Sequence, residues 1–260
     1  MCKRLIYVIS FVLLLGCCGS NAVAELVGYW PLDEGSGTTA GDASGNGHDG
    51  TIVGNNVEWV QSMGGYGTAL DFPGSGADYV DTGTWNPSAA TGNITVAFWV
   101  NWGGDNGGYQ GVVAKRDGWS EPETMWCLEI DMNSLVMNWH RYGSWVDVGM
   151  SLPVGEWMHV AVTFDGTTVI AYTDGALHAT AGGFTFGPDT SASVVFGAVE
   201  PGSNLFNGIL DEIRIYNHAL SQGEITALST EFSATNPNPA DGAVVHQTSL
   251  ALQWTAGAFA

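Results

Sequence analysis

Short runs of β-branched and aromatic residues, separated by turn residues rich in glycine, dominate the hydrophobic pattern of the chain. Residues 157–164 and 169–173 are two such runs, and Asp165-Gly166 lies between them. A second Asp-Gly dipeptide follows the later run. Asp-Gly between two strand-like runs is a strong signal for a hairpin turn. The pattern therefore predicts antiparallel strands that pack as a two-sheet, all-β sandwich.

One segment near the end of this pattern has the signature of a helix. Ser221 precedes it, and Glu224 follows three residues later, which is the spacing of a capping box. Ile225 and Leu228 then lie on one helical face. The sequence predicts a single short helix at the C-terminal end of the sandwich.

The first residues of the chain have the layout of an export signal. Lys3 and Arg4 form a positive start, and residues 5–15 form an apolar core. That core is shorter than the roughly 20 residues of a transmembrane helix. Ala-Val-Ala at residues 22–24 is a small-x-small cleavage site. We therefore predict a signal peptide over residues 1–24 and an extracellular or cell-surface location, with no transmembrane helix.

A second processing route stays open. Residues 14–17 (Leu-Leu-Gly-Cys) resemble a lipobox, in which Cys17 would carry a lipid anchor. Cys127 is the one cysteine beyond the predicted leader, so no disulfide is expected within the exported chain. A buried, inert thiol is the expected state of Cys127.

The composition changes after about residue 231. Residues 235–242 are rich in proline and asparagine, which is typical of a linker. Residues 250–254 alternate like the start of a strand. We interpret residues 25–231 as one domain and 232–260 as a linker with the start of a truncated fibronectin- or immunoglobulin-like module. The strand at 250–254 is expected to find no partner within the chain.

The charge balance narrows the range of partners. The chain has 26 acidic residues and 6 lysines and arginines, for a formal net charge of −20. Nucleic acid is excluded, because binding it depends on lysine and arginine at the phosphates. Cations and neutral polymers remain compatible. A hydrophobic content of 45% with 11 tryptophans excludes a disordered chain.

Motifs along residues 26–231 resemble those of the laminin-G-like jellyroll family, part of the concanavalin A-like lectin/glucanase superfamily. The motifs occur in the family's order: Trp30, Asp33-Glu34-Gly35, Ser44-Gly45-Asn46-Gly47, Ala69-Leu70-Asp71-Phe72, Tyr79-Val80, the strand from Thr95 to Trp99, Trp157 with His159, and the strand from Phe206 to Tyr216. The resemblance implies a concanavalin A-like jellyroll sandwich.

The resemblance also implies a structural calcium ion where the first and last strands meet. Carried over by motif, the ligands are the carboxylates of Asp33 and Asp211 with oxygens from the loop of Asn46 and His48. His48 contributes its backbone carbonyl only, because calcium prefers oxygen to imidazole nitrogen. The alternative is that both aspartates cap turns or face solvent.

Catalysis is not expected from this sequence. Glucanases of the resembled fold use carboxylates spaced along one strand, and the nearest match is Glu129-Ile130-Asp131. No third carboxylate follows, so we predict that the chain is not an enzyme. Glu212 and Arg214 share a strand face and are expected to form an exposed ion pair.

Aromatic residues suggest where a ligand binds. Trp102, Trp119 and Trp145 stand next to Gly, Asp or Ser in a glycine-rich stretch and are predicted to be exposed. Aromatic faces suit the apolar faces of sugars. We predict a secreted, non-catalytic module that binds a polysaccharide or an extracellular protein. A structural spacer between domains and a glycoside hydrolase of the same fold are the alternatives.

Overall fold

The computed structural model describes residues 25–65 and 67–231, with the backbone of 235–238 and 253–255. The predicted signal peptide, including Cys17, falls on residues 1–24 and lies outside the described residues. Within the described part of the chain, no helix is long and apolar enough to cross a membrane.

Two antiparallel sheets of eight strands each form the fold, which confirms the predicted sandwich. The first sheet has the order β14-β13-β12-β7-β16-β5-β4, with β1 also paired to β16. Its strands are β1 (Leu26–Trp30), β4 (Glu58–Gln61), β5 (Thr68–Pro73), β7 (Ile94–Trp102), β12 (Trp157–Phe164), β13 (Thr168–Thr173), β14 (Ala176–Gly182) and β16 (Asn207–Tyr216).

The second sheet has the order β11-β10-β9-β8-β15-β6-β3-β2. Its strands are β2 (Thr39–Ala40), β3 (Gly50–Val53), β6 (Tyr79–Asp81), β8 (Gln110–Arg116), β9 (Thr124–Ile130), β10 (Val136–Arg141), β11 (Ser144–Ser151) and β15 (Val194–Phe196).

Alternation along β7 shows how each strand divides its side chains between two faces. Val96, Phe98 and Val100 are buried in the main core between the sheets. Ala97 points the other way and packs in a smaller cluster on the outer face of the first sheet. Successive strand residues point to opposite faces, so the inner residues of both sheets meet in one apolar layer.

The predicted turn and helix signals are confirmed. The Asp165 carboxylate accepts hydrogen bonds from the backbone N–H groups of Thr167 and Thr168 in the β12–β13 hairpin. Helix α1 spans Gln222–Ser229, and Ser221 and Glu224 form its capping box. The predicted apolar face of α1 is buried against the outer face of the first sheet.

The expectation that the strand near residue 254 has no partner is wrong. Strand β17 (Thr235–Asn238) pairs with β18 (Gln253–Thr255), so part of the predicted linker is a strand. The register of this pair shifts between Thr235 and Asn238. Proline lacks a backbone N–H donor and is therefore found in strands at edges and irregularities. The domain boundary near residue 231 stays a prediction.

Strand β16 contains a bulge that matters for the metal prediction. Its pairing with β7 joins Asp211 to Trp99 and Arg214 to Ala97, so three steps on β16 oppose two on β7. Glu212, inside the bulge, has a left-handed φ of 52°. A bulge inserts an extra residue and redirects the side chains around it. Two neighbouring carboxylates are thereby presented at the place where β1 runs beside β16.

Candidate functional site

A buried polar cluster lies on the outer face of the second sheet. The β9–β10 register pairs Cys127 with His140, and both side chains point away from the main core. Glu129 follows two residues along β9 and shares that face. Arg116 extends from β8, and each of these four side chains is at least nine-tenths buried. We call Arg116, Cys127, Glu129 and His140 the polar cluster.

Arg116 holds two carboxylates at once. Its Nη1 lies 3.3 Å from Oε2 of Glu129, and its Nε lies 3.3 Å from Oε2 of Glu200. Burial raises the pKa of Glu129 to about 7, against the opposing effect of the Arg116 charge. Burial also lowers the pKa of His140 to about 3, and Arg116 lowers it further. At neutral pH, His140 is therefore an uncharged imidazole.

Two exposed aromatic rings contact His140, and a third contacts one of those two. Trp119, Tyr142 and Trp145 expose 46%, 41% and 47% of their surface. The ring centroid of His140 lies 4.1 Å from that of Trp145 and 5.5 Å from that of Trp119. Tyr142 meets Trp119 edge-on at 5.6 Å, and the Arg116 guanidinium lies 4.7 Å from the Trp119 ring centre. We call Trp119, Tyr142 and Trp145 the aromatic rim.

The loop that carries Glu200 is pressed directly against β8. The N–H of Gly111 donates to the carbonyl of Asn204 at 2.7 Å. A Cβ atom at residue 111 would lie 2.1 Å from the backbone nitrogen of Val199. Only glycine permits this approach, because any side chain would collide with backbone. The loop therefore has a fixed position beside the polar cluster.

The predicted exposure of Trp119 and Trp145 is confirmed, but that of Trp102 is wrong. Trp102 exposes only 5% of its surface and belongs to the main core. Its indole N–H donates to Oε1 of Gln110 at 3.1 Å. The glycines that follow Trp102 suggested a loop, yet the buried amide of Gln110 satisfies the indole within the sandwich.

Asp33 and Asp211, the two aspartates of the predicted calcium site, lie near each other. Asp211 is 2% exposed, and its carboxylate accepts hydrogen bonds from the Ser62 hydroxyl and the Glu212 N–H. Burial raises the pKa of Asp211 to about 8, and the charges of Glu212 and Asp33 raise it further. Asp33 is exposed and accepts the N–H of Thr68 at 3.0 Å. Three carboxylates therefore share this end of β1.

The predicted loop ligands, Asn46 and His48, have hydrogen-bond partners other than the two aspartates. The Asn46 amide donates to the carbonyl of Leu26, at the opposite end of β1. Leu26 and Trp30 are four residue steps apart along the strand, a distance of about 13 Å. The His48 carbonyl accepts the indole N–H of Trp30, and its ring stacks on Trp85 at 3.9 Å. These contacts do not bring Asn46 or His48 to the two aspartates.

The ion pair of Glu212 and Arg214 is confirmed, but its predicted exposure is wrong. Glu212 is 8% and Arg214 6% exposed. Nη2 of Arg214 lies 2.7 Å from Oε2 of Glu212 and 2.6 Å from Oε2 of Glu231. The Tyr29 hydroxyl donates to Glu212 at 2.7 Å and accepts from Arg214 at 3.2 Å. The side chain of Tyr29 from β1 covers the pair and keeps water away.

The two acids that most resemble a catalytic pair have different environments. Glu129 is buried and paired with Arg116. Asp131 follows β9, and its carboxylate accepts the N–H groups of Asn133 and Ser134 in a turn. The hydrogen bond from the Ser134 N–H is the main cause that lowers the pKa of Asp131. This carboxylate therefore serves the turn between β9 and β10.

Comparison with known proteins places the chain in a family. The family model Laminin_G_3, described as the concanavalin A-like lectin/glucanases superfamily, matches residues 74–226, which is more than half of the chain. No curated protein matches the chain by sequence.

Several solved structures share the fold at low sequence identity. Domain 4 of AbnA, a GH43 extracellular arabinanase from Geobacillus stearothermophilus in complex with arabinotriose, has a TM-score of 0.56 and 21% identity; the match covers 79% of this chain and 98% of that one. The binding domain of Paraclostridial Mosquitocidal Protein 1 has a TM-score of 0.63 and 18% identity, with coverages of 81% and 53%. A Trypanosoma rangeli sialidase in complex with DANA has a TM-score of 0.57 and 18% identity, with coverages of 78% and 32%. This fold therefore occurs in binding domains and in domains of enzymes, and the chain belongs to the concanavalin A-like lectin/glucanase superfamily.

Proposed function

We propose that the chain is an exported, non-catalytic recognition module that binds a polysaccharide at the aromatic rim. The observation that carries the proposal is the pair of exposed tryptophans, Trp119 and Trp145, on either side of His140. Exposed aromatic rings on a rigid sheet offer flat apolar faces, which suit the apolar faces of sugar rings. The structurally similar arabinanase domain was solved with arabinotriose, which supports this class of ligand.

The charges around the rim favour a neutral polysaccharide. Arg116 lies beneath Trp119 and already contacts the carboxylates of Glu129 and Glu200. Two acidic groups therefore face one basic group. An anionic sugar would meet net repulsion here, whereas the hydroxyl groups of a neutral sugar find both donors and acceptors.

Substitution of the rim tests this function. We expect Trp119→Ala and Trp145→Ala each to raise the Kd for the bound polysaccharide about tenfold or more, because each removes a sugar-stacking face. Isothermal titration against soluble neutral polysaccharides, arabinan included, measures the change. Leu177→Ala is the matched control, since Leu177 is a 59% exposed apolar residue on β14 of the other sheet.

Four outcomes would contradict the proposal. Absence of binding to any polysaccharide would favour the alternative of a structural spacer. Binding to an extracellular protein alone would show that the ligand is a protein and not a polysaccharide. Binding unchanged by both tryptophan substitutions would place the site elsewhere. Release of reducing sugar by the purified protein, lost in Glu129→Gln, would make the chain an enzyme.

We also propose that Asp33 and Asp211 hold a structural calcium ion, with Glu212 adjacent. The proposal is supported by the crowding of two carboxylates, those of Asp33 and Glu212, around the buried carboxylate of Asp211, whose pKa is raised mainly by burial. A hard divalent cation with oxygen ligands would relieve this repulsion. The hydrogen bonds of Asn46 and His48 do not support their inclusion among the ligands.

Removal of calcium is expected to lower the melting temperature by roughly 5 °C, because an ion bound to the folded state stabilises it by mass action. Thermal unfolding in chelator and in excess calcium measures the difference. Asp33→Asn should abolish the calcium response, whereas Asp105→Asn, at an exposed aspartate that caps a turn, should keep it. Identical melting curves with and without calcium would rule the ion out.

A further inference from the structure

Cys127, Glu129 and His140 bring three different metal-ligand atoms together beneath the aromatic rim. One ligand atom from each side chain lies within 4.8 Å of the others, and all three residues are buried. Sγ of Cys127 lies 3.5 Å from Nε2 of His140, and Oε1 of Glu129 lies 3.9 Å from the same nitrogen. This is the one such group of three found within the described residues.

The spacing suits a small tetrahedral ion. Zinc bonds of about 2.3 Å to sulfur and 2.0 Å to nitrogen separate the two ligand atoms by about 3.5 Å in tetrahedral geometry. Sγ of Cys127 and Nε2 of His140 are now a similar distance apart, although the imidazole must turn before its lone pair can point at the ion. Thiolate and imidazole select zinc-class cations over calcium, which prefers an all-oxygen shell.

We propose that Cys127, Glu129 and His140 bind a zinc-class divalent cation, with water in the fourth position. The charge balance supports this assignment. Without an ion, the Arg116 guanidinium faces the carboxylates of Glu129 and Glu200, which gives these three side chains a net charge of −1 when Glu129, whose pKa burial raises to about 7, is ionised. A divalent cation with a Cys127 thiolate brings the same group to about zero, so the buried charges are compensated.

Second contacts already orient the carboxylate. Arg116 contacts Oε2 of Glu129, the Asn204 side chain also hydrogen-bonds to this carboxylate, and Oε1 lies 3.9 Å from Nε2 of His140. Outer partners of this kind fix the ligands of metal sites. No residue of the aromatic rim serves as a ligand, so the metal response and polysaccharide binding are tested by different substitutions.

Binding requires a turn of the His140 ring. Sγ of Cys127 is 3.7 Å from Nδ1 and 3.5 Å from Nε2, nearly equal distances that place the sulfur over the ring face. An imidazole binds metal in its ring plane, so His140 must rotate about its Cβ–Cγ bond. Trp145 packs on this ring at 4.1 Å. The tryptophan fluorescence of the rim should therefore change when the ion binds.

The experiment uses the full chain after removal of bound metal. Zinc at about 100 times its Kd is expected to raise the melting temperature by roughly 5 to 10 °C and to change the tryptophan fluorescence. Cys127→Ser and His140→Gln should lose both responses. His178→Gln, at an exposed histidine on β14, should keep them. Asp33→Asn should also keep them, which separates this site from the calcium site.

Cobalt provides a second measurement that does not depend on the folding of a variant. A cobalt–thiolate charge-transfer band is expected in the unmodified chain, and the band should decrease in Cys127→Ser. A zinc response that survives Cys127→Ser would overturn the proposal. Absence of any zinc response, or of any thiolate band, would overturn it equally.

Discussion

Replacement of Trp139 by alanine is expected to lower the free energy of unfolding by about 3 to 5 kcal/mol. Trp139 is fully buried, and its ring lies parallel to that of Trp126 with centroids 5.1 Å apart. Phe184 meets the same ring edge-on at 5.6 Å. Alanine would leave a cavity between the sheets, because the closely packed strands around Trp139 cannot move enough to fill the volume of the missing indole ring. Urea unfolding measures the loss.

Two variants make this test specific. Trp139→Phe keeps an aromatic ring against Phe184 and should cost less than half as much. Trp145→Ala removes an exposed tryptophan from the adjoining strand and should change the stability by about 0.5 kcal/mol or less. An equal loss in Trp139→Ala and Trp145→Ala would show that the two rings do not differ in burial.

Replacement of Arg214 by methionine is also expected to cost about 3 to 5 kcal/mol. Arg214 is the shared partner of Glu212 and Glu231 and contacts Tyr29. Methionine fills much of the volume but leaves two carboxylates without their cation in a place with little water. Chemical unfolding at constant calcium concentration measures the effect.

Arg141→Met is the matched control for this substitution. The Arg141 guanidinium donates to the backbone carbonyls of Tyr142 and Thr185, so its loss leaves no carboxylate without a partner. We expect a change of about 1 kcal/mol or less. Addition of Glu212→Gln to Arg214→Met should restore part of the stability, since one uncompensated charge is removed. A loss below about 1 kcal/mol in Arg214→Met would show that the pair is not effectively buried.

Local signals predicted the framework of the fold well. The Asp165-Gly166 turn, the capping box of Ser221 and the alternation of β7 each depend on residues close in sequence. Turns and caps are decided by the backbone preferences of single residues, and strand faces by the alternation of side chains with a period of two residues. The Pro-rich segment near Pro237 was less predictable, because a strand with an irregular register tolerates proline at a position that suggests a linker.

The polar cluster was not predictable in the same way. Cys127 was expected to be buried and is, but its neighbour His140 gave no local signal. The two meet only because the β9–β10 register sets them opposite each other. Arg116 and Glu200 come from still more distant segments. Register and loop packing are long-range properties, and a hydrophobic pattern does not contain them.

The calcium prediction shows the same limit on a smaller scale. Asp33 and Asp211 come together because β1 and β16 are neighbouring strands, as the motif order implied. Asn46 instead hydrogen-bonds to Leu26, at the other end of β1. The bulge that adds Glu212 to the two aspartates is one extra residue in a strand, and alternation alone gives no sign of it.

The pairing of β1 with β16 has a mechanical consequence. Glu25 is held by Asn217, and the first rungs of the pair join Leu26 to Tyr216. The chain leaves β16 at this same end, through α1 and Glu231. Tension applied between Glu25 and Glu231 would therefore break the hydrogen-bonded residue pairs of β1 and β16 one after another, as in a zipper. It would not load them all together in shear. Opened in this order, the strand that carries Tyr29 would peel away at low force and uncover the carboxylates beside it.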